Sequence, residues 1–146
     1  MIEPMSEFVA WTREELDYQC EARYMEQLRR NSSDNSREHV PAVFWDYTTR
    51  RILTVAFLEG VTVLDYIRAL EAGVETQQIA SLRVQRLHTM GFDPNQFARN
   101  IIDNFLGDAF RHGMFHADLH PANLMILSGN VVGYVDFGIT GVLSPY

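Results

Sequence analysis

Along the chain, stretches whose apolar residues recur once per helical turn alternate with shorter runs of β-branched and aromatic residues, and this order predicts the elements. Thr12 and Glu15 form a capping box, and Leu16, Cys20, Tyr24 and Leu28 follow at one-turn spacing, which predicts a helix from Thr12 to about Arg30. Asn31 to His39 is polar, aperiodic and rich in residues that bond to their own backbone, so a surface loop is expected. Val40–Tyr47 and Arg51–Leu58 read as the two strands of a hairpin closed by Thr-Thr-Arg. Glu59-Gly60 stops the second strand. A short helix ending at Gly73 and a second helical stretch near Thr76 to Met90 come next. From Pro94, Phe97, Ile101, Phe105 and Ala109 share one stripe with Ile102 and Leu106 beside it, predicting an amphipathic helix that ends near His112-Gly113. NLMIL and VVGYVDF then flank Ser128-Gly129-Asn130 as a second hairpin. The order helix, hairpin, helices, hairpin predicts an α+β fold.

Composition narrows the functional classes. With 146 residues and 47% apolar content, the chain suits one domain or part of one. A net charge of −7 with scattered arginines disfavours nucleic-acid binding. Cys20 is the single cysteine, so no internal disulfide forms and a reducing compartment fits. The first residues lack a signal pattern, and the apolar-rich run Ile52 to Leu64 is broken by Glu59-Gly60. A cytoplasmic location, or one peripheral to a membrane, is expected.

The chemistry concentrates in HADLHPANLMIL, residues 116 to 127, and in YVDFG, residues 134 to 138. Asn123 stands five residues after Asp118, and Asp136 thirteen residues further on across the predicted hairpin, so the three side chains can converge at one end of it. Two carboxylates and an amide oxygen are hard ligands suited to Mg²⁺, which takes its remaining ligands from water and phosphate. Kinase-type phosphoryl transfer divides labour in this way. One Asp orients or deprotonates the nucleophile, while an Asn and the Asp of Asp-Phe-Gly hold metal. An isolated Asp-Phe-Gly is a common turn and His-x-Asp arises by chance, so the reading rests on the joint pattern. His116 and His120 have the spacing of a zinc pair, but Pro121 interrupts any helix and no third zinc-type ligand stands near. His116 reads instead as a loop brace that bonds backbone. His120 reads as a phosphate or substrate contact, or equally as an exposed loop residue. His39, His88 and His112 belong to no constellation. On the first predicted helix Asp17 and Glu21 lie one turn apart on one face, with Arg13 as a partner for Asp17. Glu21 then suits the role of the helix glutamate that pairs with a kinase's phosphate-binding lysine, although a solvated acidic face is the simpler reading of periodicity.

EELDYQCEARYMEQL, GMFHADLHPANLMI and GYVDFGITGVL together resemble the UbiB/ADCK (AarF-like) family of atypical protein-kinase-like proteins, which is associated with coenzyme Q (ubiquinone) biosynthesis. The resemblance runs from about Glu7 to Tyr146. In the helix it matches a Glu-x-Asp motif, Glu15 and Asp17, followed by the lysine-pairing Glu21. It implies that Asp118 is the catalytic-loop acid, that Asn123 and Asp136 are Mg²⁺ ligands, and that Phe57, Leu58 and Glu59 are the hinge contacting adenine. ATP or ADP with Mg²⁺ as cofactors, ATPase behaviour, lipid-like partners of the quinone pathway and a membrane surface are implied with it. Leu119, Ala122 and Ala56 replace the family's usual Pro, Gly and Glu. None of these changes removes a metal ligand. The family's Lys-x-Gly-Gln helix, alanine-rich nucleotide loop and lysine-bearing strand have no counterpart, nor do the helices beyond Asp-Phe-Gly. The expectation is therefore a partial kinase-like domain over residues 1–146. Its first 60 or so residues form an N-lobe remnant and hinge, and the rest forms the C-lobe core. An ATPase or phosphotransferase, weak or inactive alone, is the first functional expectation. A small-molecule kinase of the aminoglycoside phosphotransferase type, sharing HxDLHPxN, and a non-catalytic nucleotide-binding or interaction module are the alternatives.

Overall fold

A computed structural model describes residues 17–71, 82 and 85–143. The first helix, α1, spans Tyr18–Asn31 and starts later than the Thr12 capping box predicts. Asp17 is extended, with φ −113° and ψ 95°, and its carboxylate accepts a hydrogen bond from the Gln19 N–H at 3.0 Å. An acid at this N-cap satisfies an orphan amide and meets the positive end of the helix dipole. Asp17 lies off the helix, and it holds Arg50 at 3.0 Å. Thr12, Arg13 and Glu15 lie outside the described residues. The buried row of α1 is Ala22, Met25 and Leu28, whereas Tyr24 of the predicted stripe is exposed.

The polar loop after α1 ends sooner than expected, because Glu38–His39 form a strand, β1, paired in parallel with a later strand. Its charged sequence concealed it. The first predicted hairpin forms only in part. Phe44 N–H donates to Thr54 O and Ala56 N–H to Ala42 O, each at 2.8 Å, but Trp45–Tyr47 is a 3₁₀ turn. The Thr48 hydroxyl donates to Phe44 O at 3.0 Å and accepts from Thr54 N–H at 3.1 Å, taking partners that a strand ladder would use. Strand β2, Val61–Thr62, leads directly into helix α2, Val63–Glu71. Of the second predicted helical stretch, residues 85–89 are helical; Gly73, where the preceding helix is expected to end, lies outside the described residues.

Helix α3 spans Pro94–Gly107, with proline in its first turn and the Asp93 carboxylate accepting from Asn95 N–H at 2.8 Å and Gln96 N–H at 3.2 Å. It passes into a π turn, Asp108–His112, and stops at Gly113, whose φ of 66° is left-handed. The face that it buries is half polar. Phe97, Asn100 and Asn104 are buried there with Asp108 and Ala109, while Ile102 and Leu106 of the predicted stripe are exposed.

Strands β3, Met114–His116, and β6, Thr140–Val142, pair antiparallel. Strands β4, Leu124–Ile126, and β5, Val132–Tyr134, form the second predicted hairpin, in register from Leu124 opposite Tyr134 to Ile126 opposite Val132. Gly129 and Asn130 close it with φ of 73° and 61°. The four-stranded sheet has the order β1-β5-β4-β2. One apolar cluster joins α1 (Ala22, Met25), α3 (Phe97), the hairpin (Ile126, Val132) and Phe137. The chain enters β2 against the hairpin so closely that a Cβ on Gly60 would lie 2.6 Å from Ile126 O. Among the described residues, no helix is long and apolar enough to cross a membrane.

Candidate active site

The β4–β5 hairpin sets the site, because β4 starts one residue after Asn123 and β5 ends two residues before Asp136. Val135 N–H donates to Asn123 O at 3.1 Å, which ties the two exits together. Asn123 Nδ2 donates to Asp118 Oδ2 at 2.7 Å, leaving the Asn123 amide oxygen facing no donor of this pair. The Asp118 Oδ1 accepts from His120 N–H at 3.3 Å, so the Asp118 carboxylate is held from both sides. Asp136 Oδ1 accepts from Gly138 N–H at 3.0 Å. Its other oxygen is the one available to a cation.

His116 connects these parts. It lies at the end of β3, 4% exposed, stacked on Tyr134 and edge-on to Phe137. Its Nδ1 accepts from Asp118 N–H at 3.2 Å while Nε2 meets Asp136 O, an arrangement that puts the ring proton on Nε2. Burial pushes its pKa down, opposed by the Asp136 carbonyl and by the charges of Asp118 and Asp136. A neutral ring thus spans the two acidic segments. His120 turns back on its own loop, with Nδ1 accepting from Ala122 N–H at 3.1 Å.

Glu21 reaches this site from α1, and its Oε1 accepts from Phe137 N–H at 3.1 Å. Burial raises its pKa, the Phe137 hydrogen bond lowers it, and the nearby Asp136 charge raises it again. Sequence reasoning left Glu21 without a partner inside the chain, because a backbone N–H leaves no mark in a residue pattern. All twelve Lys and Arg positions are arginine, so no lysine of this chain can pair with Glu21.

The residues expected to form the hinge, Phe57 to Glu59, lie apart from this cluster. Phe57 is 91% exposed, Leu58 is buried, and Glu59 pairs with Arg86 at 2.6 Å. They line a cavity of about 600 Å³ with His39, Met90 and Leu127, at the turn end of the hairpin, and none of Asp118, Asn123 and Asp136 lines it. The described residues therefore bring Asp118, Asn123, Asp136, His116, His120 and Glu21 together, and leave Phe57 and Glu59 outside. The donor set fits a hard divalent ion that completes its shell with water and phosphate: one free carboxylate oxygen at Asp136 and an amide oxygen at Asn123. It does not form a cage of protein ligands. No group of three or more His, Cys, Asp or Glu suited to a metal occurs among the described residues.

A loop acid and asparagine facing an Asp-Phe-Gly segment across a hairpin, with a helix glutamate behind them, define a kinase-like fold and site. The chain belongs to the ABC1 atypical kinase-like domain family, whose model matches residues 1–146. It is 29% identical over 134 residues to the protein Activity of BC1 complex kinase 8, chloroplastic, of Arabidopsis thaliana, covering 90% of this chain and 15% of that protein. It is 28% identical over 132 residues to an uncharacterised Synechocystis protein, covering 90% of this chain and 20% of the other. The solved complex of Rv3197 with erythromycin, from Mycobacterium tuberculosis, superposes with a TM-score of 0.66 at 24% identity. That match covers 98% of this chain and 32% of the other. The chain thus spans a fifth or less of the length of these two curated relatives.

Proposed function

We propose that this chain is the central part of an ATP- and Mg²⁺-dependent atypical kinase-like domain, an ATPase or phosphotransferase of the type that supports ubiquinone biosynthesis. The observation that carries this reading is the hydrogen-bonded convergence of Asp118 and Asn123, with Asp136 joined to them through His116. In it Asp118 orients or deprotonates the attacking group, held in place by Asn123 Nδ2 and His120 N–H. Asn123 and Asp136 would hold the ion, which when bound neutralises phosphate charge. Phe57 to Glu59 would supply the hinge, and residues up to about 60 the N-lobe remnant.

A second reading, a nucleotide-binding module without turnover, is favoured by one feature. Glu21, whose partner in a working kinase is a lysine, bonds instead to the Phe137 N–H, and the chain has no lysine. Steady-state ADP release from Mg·ATP, compared between the chain and Asp118→Asn, separates the readings. Slow turnover reduced by about 10²-fold or more in the variant is the outcome for the enzyme. Mg·ATP binding with no ADP release in either protein assigns the chain to the module. A small-molecule kinase would be recognised by transfer of the phosphate to an aminoglycoside or choline-like acceptor.

A further inference from the structure

Two carboxylates are buried away from the kinase-like site. Glu38 on β1 and Asp108 at the start of the π turn are each 7% exposed, and both line a cavity of about 350 Å³ between the loop after α1 and the end of α3. No residue of the Asp118 to Asp136 site lines it. Glu38 has a partner, since Asn35 Nδ2 donates to its Oε1 at 2.8 Å. Among the described residues the Asp108 carboxylate meets no hydrogen-bond donor, and the charge that it senses is Glu38.

Two acids confined together call for a positive donor, because burying an unpaired carboxylate is expensive. Arg37 lines the cavity and its charge favours ionised Glu38, but its guanidinium is paired with Asp103 at 2.8 Å. The polar neighbours are bonded mainly to one another, and Tyr134, beside Glu38 and Asp108, hydrogen-bonds Asn104. Asn35 Oδ1 accepts from Arg37 N–H at 3.1 Å, Asn104 Oδ1 accepts from Asn35 Nδ2 at 2.9 Å, and Asn104 Nδ2 donates to Arg37 O at 3.2 Å. A divalent metal would find two carboxylates and amide oxygens that each already accept a hydrogen bond, fewer free protein ligands than a dedicated site supplies. An ammonium group has N–H donors enough to span both acids. The cavity volume lies at the small end of the small-molecule range, and Arg111 and His112 line it too, suiting a polar or anionic tail beyond the ammonium. Asp108 continues the buried polar line of α3, one turn after Asn104 and still helical at φ −63° and ψ −48°.

We propose that this cavity is a binding site for a small molecule carrying a primary ammonium group, held by Glu38 and Asp108. The test is a titration of the 146-residue chain with ethylammonium chloride at pH 8, followed by NMR at constant ionic strength. Tetramethylammonium chloride, which lacks N–H donors, and magnesium chloride serve as comparison probes. Saturable ethylammonium shifts at residues 35–38 and 104–112 are expected, with affinity weakened by about thirtyfold or more in Asp108→Asn and in Glu38→Gln. Tetramethylammonium should give no saturable shifts there. The proposal is overturned if ethylammonium does not saturate, if both variants bind it as the parent does, or if tetramethylammonium or Mg²⁺ reproduces its shifts. Should either variant fail to fold, the contrast between the two ammonium probes on the parent chain decides.

Discussion

His116 shows how one side chain can organise a site without taking part in its chemistry. Its two nitrogens read different segments, the Asp118 N–H on one side and the Asp136 carbonyl on the other, and its ring is packed between Tyr134 and Phe137. Replacing it by alanine leaves a cavity and two unpartnered backbone groups, and His116→Ala should lower unfolding stability by about 2–4 kcal/mol in urea melts. Asp108 gives the complementary case, a residue that weakens the fold at neutral pH. Its pKa is raised to about 7, by burial first and by Glu38 second. A carboxyl whose folded pKa lies above its unfolded value binds its proton more tightly when folded. Its contribution is therefore complete below about pH 4 and is lost as pH rises through about 7. In Asp108→Asn that loss should disappear, making the variant about 2 kcal/mol more stable than the parent at pH 8, after allowance for solvent screening. Both effects follow from denaturant melts of the two proteins at pH 4.5 and pH 8.

Among the elements, those resting on apolar periodicity were legible in the sequence and those resting on polar contacts were not. The β4–β5 hairpin was readable because Leu124, Ile126, Val132 and Tyr134 alternate around a Gly-Asn turn. The stop after α3 and its π turn was readable from His112-Gly113, since a left-handed stop favours glycine. Strand β1 was not, because Glu38 and His39 are held by pairing with Val132 and Gly133 rather than by an apolar pattern. The polar line Asn100, Asn104 and Asp108 was missed for the same reason: these side chains are buried by hydrogen bonds and confinement, to which a hydrophobic stripe is blind. The start of α1 was misread because two local signals competed, and the Asp17 N-cap is the one that the described helix uses. Asp17→Ala should cost about 1 kcal/mol in the same melts, combining the lost cap with the Arg50 pair. At Gly60 the chain entering β2 touches β4, and a Cβ there would lie 2.6 Å from Ile126 O and 2.7 Å from a Leu127 methyl. Gly60→Ala should therefore destabilise by about 1–3 kcal/mol, with the largest amide shifts in 58–62 and 125–127 on NMR.

At the scale of the whole molecule, the sequence pattern located the convergence of Asp118, Asn123 and Asp136 because a hairpin fixes where its two exits go. It did not reveal that Glu21 closes the back of the site on the Phe137 N–H, or that the hinge residues line a separate cavity. The β4–β5 hairpin and α1 are packed into one apolar core with α3, so the acid cluster rests on rigid support. On the proposed reading, this chain meets phosphate through the ion that Asn123 and Asp136 would hold, since it has no lysine to do so. Nucleotide affinity should then be modest and wholly dependent on Mg²⁺. The most direct test is calorimetric titration of ADP into the chain and into Asp136→Asn, each with Mg²⁺ and with EDTA. Weak binding is expected for the parent in Mg²⁺, with a Kd of roughly 0.1–1 mM, and none in EDTA or in Asp136→Asn. Binding that survives EDTA or the Asp136→Asn change, or no binding by the parent in Mg²⁺, would contradict a metal-nucleotide site at this hairpin.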